Sequence, residues 1–127
     1  MASTALKVCL SWVRPDSYFD VHGQVPQIDD PRVQFFKGWF EQTLADYRFP
    51  PHDVMVVIMD ADLYSSTSLV LKFLEHAIVP GTYLYFDEFN HRFDELRAFG
   101  EFIKRTGMKF SVVGATHSMA HVMFQRQ

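Results

Sequence analysis

Apolar residues fall in short runs separated by turn-forming clusters, and the runs alternate between two periodicities. Val54-Met55-Val56-Val57-Ile58-Met59 is an unbroken apolar run, too short for a buried helix and suited to a parallel strand covered on both faces. Leu69, Val70, Phe73, Leu74, Ala77 and Ile78 then recur at helical spacing, preceded by Ser65, Ser66 and Thr67 as candidate N-caps and stopped by Pro80-Gly81. Thr82 to Phe86 repeats the buried-strand pattern. Residues 54–86 therefore predict one right-handed strand-helix-strand crossover.

Weaker patterns flank this centre. Leu6 to Val13 and Val33 to Lys37 read as short strands on either side of a loop holding Pro15, Gly23, Pro26 and Pro31. After Gly38, the residues Trp39, Phe40, Thr43, Leu44 and Tyr47 predict a helix of about 9 residues before Pro50-Pro51, with Trp39 and Phe40 in the core. Phe93, Leu96, Phe99 and Ile103 mark another helix, capped by Asn90 or Asp94 and stopped at Gly107. Lys109 to Gly114 and Met119 to Phe124 read as an antiparallel hairpin joined tightly around Ala115 to Ser118. The alternation predicts an α/β fold, a mostly parallel sheet ending in an antiparallel hairpin, as a single domain over residues 1–127.

Composition narrows the class. A chain of 127 residues that is 48% hydrophobic and 16% aromatic is ordinary for one folded domain and too aromatic for disorder. Cys9 is the only cysteine, so an internal disulfide and a four-cysteine zinc site are excluded, and a buried, inert thiol is expected there. The net charge of −3 offers no broad basic field for nucleic acid. No run approaches the ~20 apolar residues of a membrane span, and no secretory signal is read at the start. A cytoplasmic protein with small-molecule or protein partners is expected.

Ligands of an open α/β sheet bind beyond the carboxyl ends of its strands. Asp60 and Asp62, then Tyr64, follow the run ending at Met59; Asp87, Glu88, Asn90 and His91 follow the run ending at Phe86. If the two strands are neighbours, ~4.8 Å apart, these acids converge. Such a cluster requires protons, basic residues or a cation, and its all-oxygen character suits Mg²⁺, Mn²⁺ or Ca²⁺. Asp62 and Glu88 read equally well as turn or cap residues. Asp60 and Asp87, each directly after a buried strand, are harder to explain by turn chemistry. His117 and His121 are four apart with the hairpin turn between them, and ordinary packing or exposure is the expectation for both.

Three ordered segments carry a resemblance: Lys37-Gly38-Trp39-Phe40-Glu41-Gln42-Thr43-Leu44, Met59-Asp60-Ala61-Asp62-Leu63-Tyr64-Ser65-Ser66-Thr67, and Pro80-Gly81-Thr82-Tyr83-Leu84-Tyr85-Phe86-Asp87-Glu88-Phe89. Over residues 18–124 the chain resembles the macrocin O-methyltransferase group of class I S-adenosylmethionine-dependent methyltransferases. The resemblance implies a Rossmann-like sheet, S-adenosylmethionine as methyl donor and a small-molecule hydroxyl acceptor. It also places Asp60, Asp87 and Glu88 at metal-ligand positions for Mg²⁺ or a similar divalent cation. Asp62 takes the place of a possible general base. Glu88 departs from the family's more usual Asp or Asn, and Thr82 from its second Gly.

The strand, glycine-rich turn and helix that open such a fold have no counterpart before Gly38, so the sequence resembles a truncated sheet, the carboxyl-terminal part of a methyltransferase. The Val54 strand is then expected to need cover along its free edge, supplied either by Leu6 to Val13 or by a second copy in a homo-oligomer, such as a homodimer. Two functions follow: a metal-assisted O-methyltransferase, or a non-catalytic binding or oligomerising module that keeps the fold.

Overall fold

The computed structural model describes residues 24–127 together with the backbone of a strand at Lys7–Cys9. The chain divides into two compact units, Met1–Asp53 and Val54–Gln127.

In the first unit, β1 (Lys7–Cys9) pairs in parallel with β2 (Val33–Phe35), Val8 opposite Gln34. The Cys9 side chain and the rest of the strand expected over Leu6 to Val13 lie outside the described residues. The predicted helix after Gly38 shortens to α1 (Phe40–Thr43). Its ladder ends where the Leu44 amide donates to Phe40 O at 2.9 Å, and a turn then carries the Tyr47 amide to Leu44 O at 3.1 Å. That turn sets the Tyr47 ring edge-on to Phe36 and Phe49, at centroid distances of 5.4 and 5.1 Å. Aromatic packing, worth ~0.5–1.5 kcal/mol per pair, thus competes with further helix. Phe40 and Leu44 are buried as expected, whereas Trp39 is exposed.

The second unit is built on β3 (Val56–Met59), α2 (Tyr64–Leu74), β4 (Tyr83–Phe86), α3 (Glu95–Thr106), β5 (Phe110–Ala115) and β6 (Val122–Arg126). The sheet order is β3-β4-β6-β5. β3 and β4 are parallel, with Met59 opposite Phe86, and α2 is the crossover between them. β6 runs antiparallel to both β4 and β5, so this α/β sheet is mixed. The hairpin has a bulge between Val112 and Gly114, a common device for bending a sheet edge. Among the described residues no helix is long and apolar enough to cross a membrane.

Alternation on β4 assigns the two faces. Leu84 and Phe86 are fully buried, whereas Tyr83 and Tyr85 are only partly covered. Val70, Leu71 and Leu74 of α2 and Ala98, Phe99 and Phe102 of α3 join the same core. Its centre is aromatic: the Phe99 ring lies 4.9 Å from Phe86, 4.7 Å from Phe124, 5.1 Å from Phe110 and 6.0 Å from Phe89. The opposite face of β3 is open, with Val54, Val56 and Ile58 exposed by 59, 53 and 64%. This corrects the expectation of a strand covered on both faces. The apolar run reports one packed face and one bare one.

The inward stripe of α3 also differs from the expected one. Glu95, Ala98, Phe99 and Phe102 are buried, whereas Phe93 is 59% exposed and Leu96 faces water. Phe93 precedes the helix and lies under the Arg92 guanidinium, 4.5 Å from the ring centroid, an arrangement that lets it remain wet. Gly107 ends α3 in the left-handed region at φ 69°, its amide donating to Ile103 O at 2.8 Å.

The two phenylalanines that the sequence places on one stripe should separate in a urea titration. Phe99→Ala is expected to cost about 3–5 kcal/mol by leaving a cavity among four rings. Phe93→Ala is expected to stay within about 1 kcal/mol of the parent chain.

Candidate active site

The parallel pairing of β3 and β4 builds the site. Met59 and Phe86 are register partners, and the Asp87 amide continues the ladder by donating to Met59 O at 3.1 Å. Asp60 and Asp87, the next residue on each strand, therefore emerge side by side beyond the carboxyl ends. Their proximity is felt electrostatically. The Asp60 carboxyl is held above its usual pKa, first by partial desolvation and then by the negative charges of Asp87 and Asp62.

Asp87 has two aromatic neighbours. The Tyr85 hydroxyl donates to Asp87 Oδ1 at 3.1 Å, and His121 Nδ1 lies 3.0 Å from the same oxygen. The imidazole stacks on Tyr85 with 4° between planes and 6.2 Å between centroids. Desolvation, followed by the hydrogen bond to Asp87, raises the Tyr85 phenol, so Tyr85 remains a donor at neutral pH. The Tyr85 hydrogen bond orients the carboxylate, His121 Nδ1 lies beside it without a hydrogen bond, and the second carboxylate oxygen is left for other partners. His121 was expected to be an ordinary packed or exposed residue; the connection after β5 folds back to bring it here. Thr116 Oγ1 accepts the His121 amide at 3.1 Å, and the Thr116 amide donates to His121 O at 2.9 Å. His117 is exposed, as expected.

Asp62 is exposed and stands at φ 56°, one of two described non-glycine residues with positive φ. The Leu63 amide closes a three-residue turn onto Ala61 O at 2.5 Å around it. This form of turn is strained, and aspartate tolerates the left-handed region better than most side chains. Strain next to Asp60 holds the Asp62 carboxyl at the mouth of the site instead of allowing β3 to run on.

Glu88 is exposed, and its backbone is the part that is tied down. Its amide donates at 3.0 Å to Glu95 Oε2, from a side chain that is 0% exposed. Burial pushes the Glu95 pKa from 4.5 up to about 7, opposed by the amides of Glu88 and Ala61 and reinforced by the charges of Asp60 and Glu88. Glu95 Oε1 is buried without a hydrogen bond. The adjacent Asp94 accepts the Tyr64 amide at 3.0 Å and pairs with His91. Asp94 thus supplies the start of α2 with the acceptor that the expected caps Ser65, Ser66 and Thr67 do not provide. Tyr64 is further held through its hydroxyl, which donates to Glu101 Oε2 at 2.5 Å, while the Arg97 guanidinium lies 4.3 Å from its ring centroid.

The structure therefore brings Asp60 and Asp87 together, keeps Asp62 within electrostatic reach, and leaves the Glu88 side chain in solvent. Among the described residues no three His, Cys, Asp or Glu side chains form a group that could hold a metal ion. Asp60 and Asp87 are carboxylates of the donor type that Mg²⁺ takes one or two at a time, with water or substrate completing the shell.

The sequence profile of the macrocin-O-methyltransferase (TylF) family matches residues 2–120, beginning earlier than the three ordered segments indicate. The chain is 35% identical over 60 residues to the 8-demethyl-8-(2,3-dimethoxy-alpha-L-rhamnosyl)-tetracenomycin-C 4'-O-methyltransferase of Streptomyces olivaceus, a match covering 47% of this chain and 22% of that protein. Its structure is similar to that of the O-methyltransferase NovP, with a TM-score of 0.60 and 27% identity over 77% of this chain and 39% of NovP. The chain thus matches less than half the length of each.

The buried carboxyl makes stability depend on pH in an unusual direction. Because folding raises the Glu95 pKa above 4.5 to about 7, its contribution is complete below pH 4.5 and lost as pH rises through 7. Urea titrations between pH 4.5 and 7.5 should show this group removing at most about 3 kcal/mol. Glu95→Gln, which stays neutral, should flatten that part of the profile.

Proposed function

As the chain belongs to the macrocin-O-methyltransferase family, we propose that its acidic mouth serves S-adenosylmethionine-dependent, divalent-cation-assisted methylation of a hydroxyl on a small molecule. The observation that carries this reading is the adjacent delivery of Asp60 and Asp87 by parallel strands, with no described lysine or arginine paired to either. Asp60 and Asp87 would hold the cation, and Glu88 would reach the same ion after a change of its exposed rotamer. A bound divalent cation supplies Lewis acidity that lowers the pKa of the acceptor hydroxyl. S-Adenosylmethionine, when bound, would supply the electrophilic methyl group for the acceptor oxygen. Asp62 accepts the hydroxyl proton as general base. Tyr85 orients the Asp87 carboxylate, with His121 beside it. The tetracenomycin relative's name makes a sugar hydroxyl the first acceptor class to test.

Calorimetry with Mn²⁺ and with S-adenosylmethionine, separately and together, tests the proposal. Wild-type chain is expected to bind Mn²⁺, and Asp60→Ala and Asp87→Ala to weaken that binding about tenfold or more with the far-UV dichroism unchanged. Asp62→Gly should retain the Mn²⁺ affinity and keep or raise Tm, because glycine relieves the positive φ. Absence of Mn²⁺ binding at millimolar concentration defeats the cation reading; absence of S-adenosylmethionine binding under every condition defeats the enzyme reading for this chain.

The exposed valines and isoleucine of β3 favour a second reading, in which the fold serves as an oligomerising module and another copy covers this edge. A parallel-sheet edge with a bare apolar face is an established route to strand pairing between chains. Light scattering should then give a homodimer mass that Ile58→Lys returns to monomer; a wild-type monomer at high concentration eliminates this reading.

A further inference from the structure

Glu95 is a buried ionisable group that the proposed chemistry does not use. An apolar residue of similar volume would fill the same place in the α3 packing without the desolvation cost of a carboxyl group. What distinguishes glutamate is its reach beyond its own helix. Its Oε2 accepts the Glu88 amide at 3.0 Å, seven residues back in the loop after β4. Its neighbour Asp94 accepts the Tyr64 amide at 3.0 Å at the end of the loop after β3. Two consecutive side chains at the start of α3 therefore anchor both acid-bearing loops.

We propose that Glu95 is a positioning residue: by accepting the Glu88 amide, while the adjacent Asp94 accepts the Tyr64 amide, it ties the loop after β4 to the same helix start that holds the loop after β3 and so keeps Asp87 beside Asp60. The cation-binding part of this inference rests on the reading of those two carboxylates given above. Asp87 lies directly before Glu88. The anchored amide is thus one peptide away from the carboxylate it steadies. Removing the acceptor leaves the Glu88 amide without its partner at a part-buried site, and the local remedy is for the loop to turn toward water.

The test compares wild-type chain with Glu95→Leu and Glu95→Gln, using amide hydrogen exchange by NMR and Mn²⁺ binding by calorimetry. In Glu95→Leu the Glu88 amide should exchange at least about tenfold faster while the Leu84 amide in β4 keeps its protection, and Mn²⁺ affinity should fall about tenfold. Glu95→Gln keeps an acceptor for the Glu88 amide and should restore both properties to within about threefold of wild type. A merely structural role predicts lower stability in both variants without this loop-specific pattern. If Glu95→Leu does not fold, Glu95→Asp, whose shorter side chain withdraws the carboxyl from Glu88, is read in the same way. Unchanged exchange at Glu88 overturns the proposal. So does unchanged Mn²⁺ affinity when the wild type binds the ion. Failure of the wild type to bind Mn²⁺ overturns the cation reading and, with it, the assignment of Glu95 to a cation site.

Discussion

Parallel hydrogen bonding between β3 and β4 is the constraint from which the site follows. Parallel strands cannot be joined by a tight turn, so a long crossover must leave the end of β3 and return to the beginning of β4. Both strands then end at the same edge of the sheet. With Met59 and Phe86 in register, the next residue of each strand has little choice of place, and both residues are aspartates. Antiparallel pairing would send one carboxylate to each end of the sheet. The concentration of charge is therefore a property of topology before it is a property of side-chain packing.

The aromatic core supports that topology from one side only. Phe86 occupies β4 and Phe124 occupies β6, and Phe99 presses on both from α3. This contact also sets the rotation of α3, and with it the direction of Glu95. A helix turned to bury Leu96 would carry Glu95 toward solvent and release the loop after β4. The core that provides stability and the carboxyl that holds this loop are thus consecutive consequences of one helix orientation, and the acidic mouth rests on a hydrophobic decision made one turn away.

What could be read from residues alone follows the strength of each local pattern. The crossover over residues 54–86, the Gly107 stop and the carboxyl-terminal hairpin were legible because unbroken apolar runs and glycine or proline punctuation leave few alternatives. The convergence of Asp60 and Asp87 was legible for the same reason, given neighbouring strands. Four features were not. An apolar run does not state how many faces are packed, and β3 proved bare on one. The aromatic series after Gly38 mimics a helical stripe, while Tyr47 packs on Phe36 and Phe49 instead. Counting Phe93 and Leu96 into the α3 stripe rotated the expected face and hid Glu95 on the polar side. His121 reaches Asp87 through a folded connection whose path depends on hydrogen bonds to Thr116, with no sequence period to announce it.

The position of β6 bears on the order in which the sheet can be made. β5 emerges from the ribosome before β6, yet β6 lies between β5 and β4 in the finished sheet. Until residues 122–126 have cleared the exit tunnel, β5 has no strand to join, and the rings of Phe110 and Phe99 wait without Phe124. The last strand of the chain is therefore the one that couples β5 to the strand-helix-strand core, so the sheet is complete only when the carboxyl-terminal residues are in place.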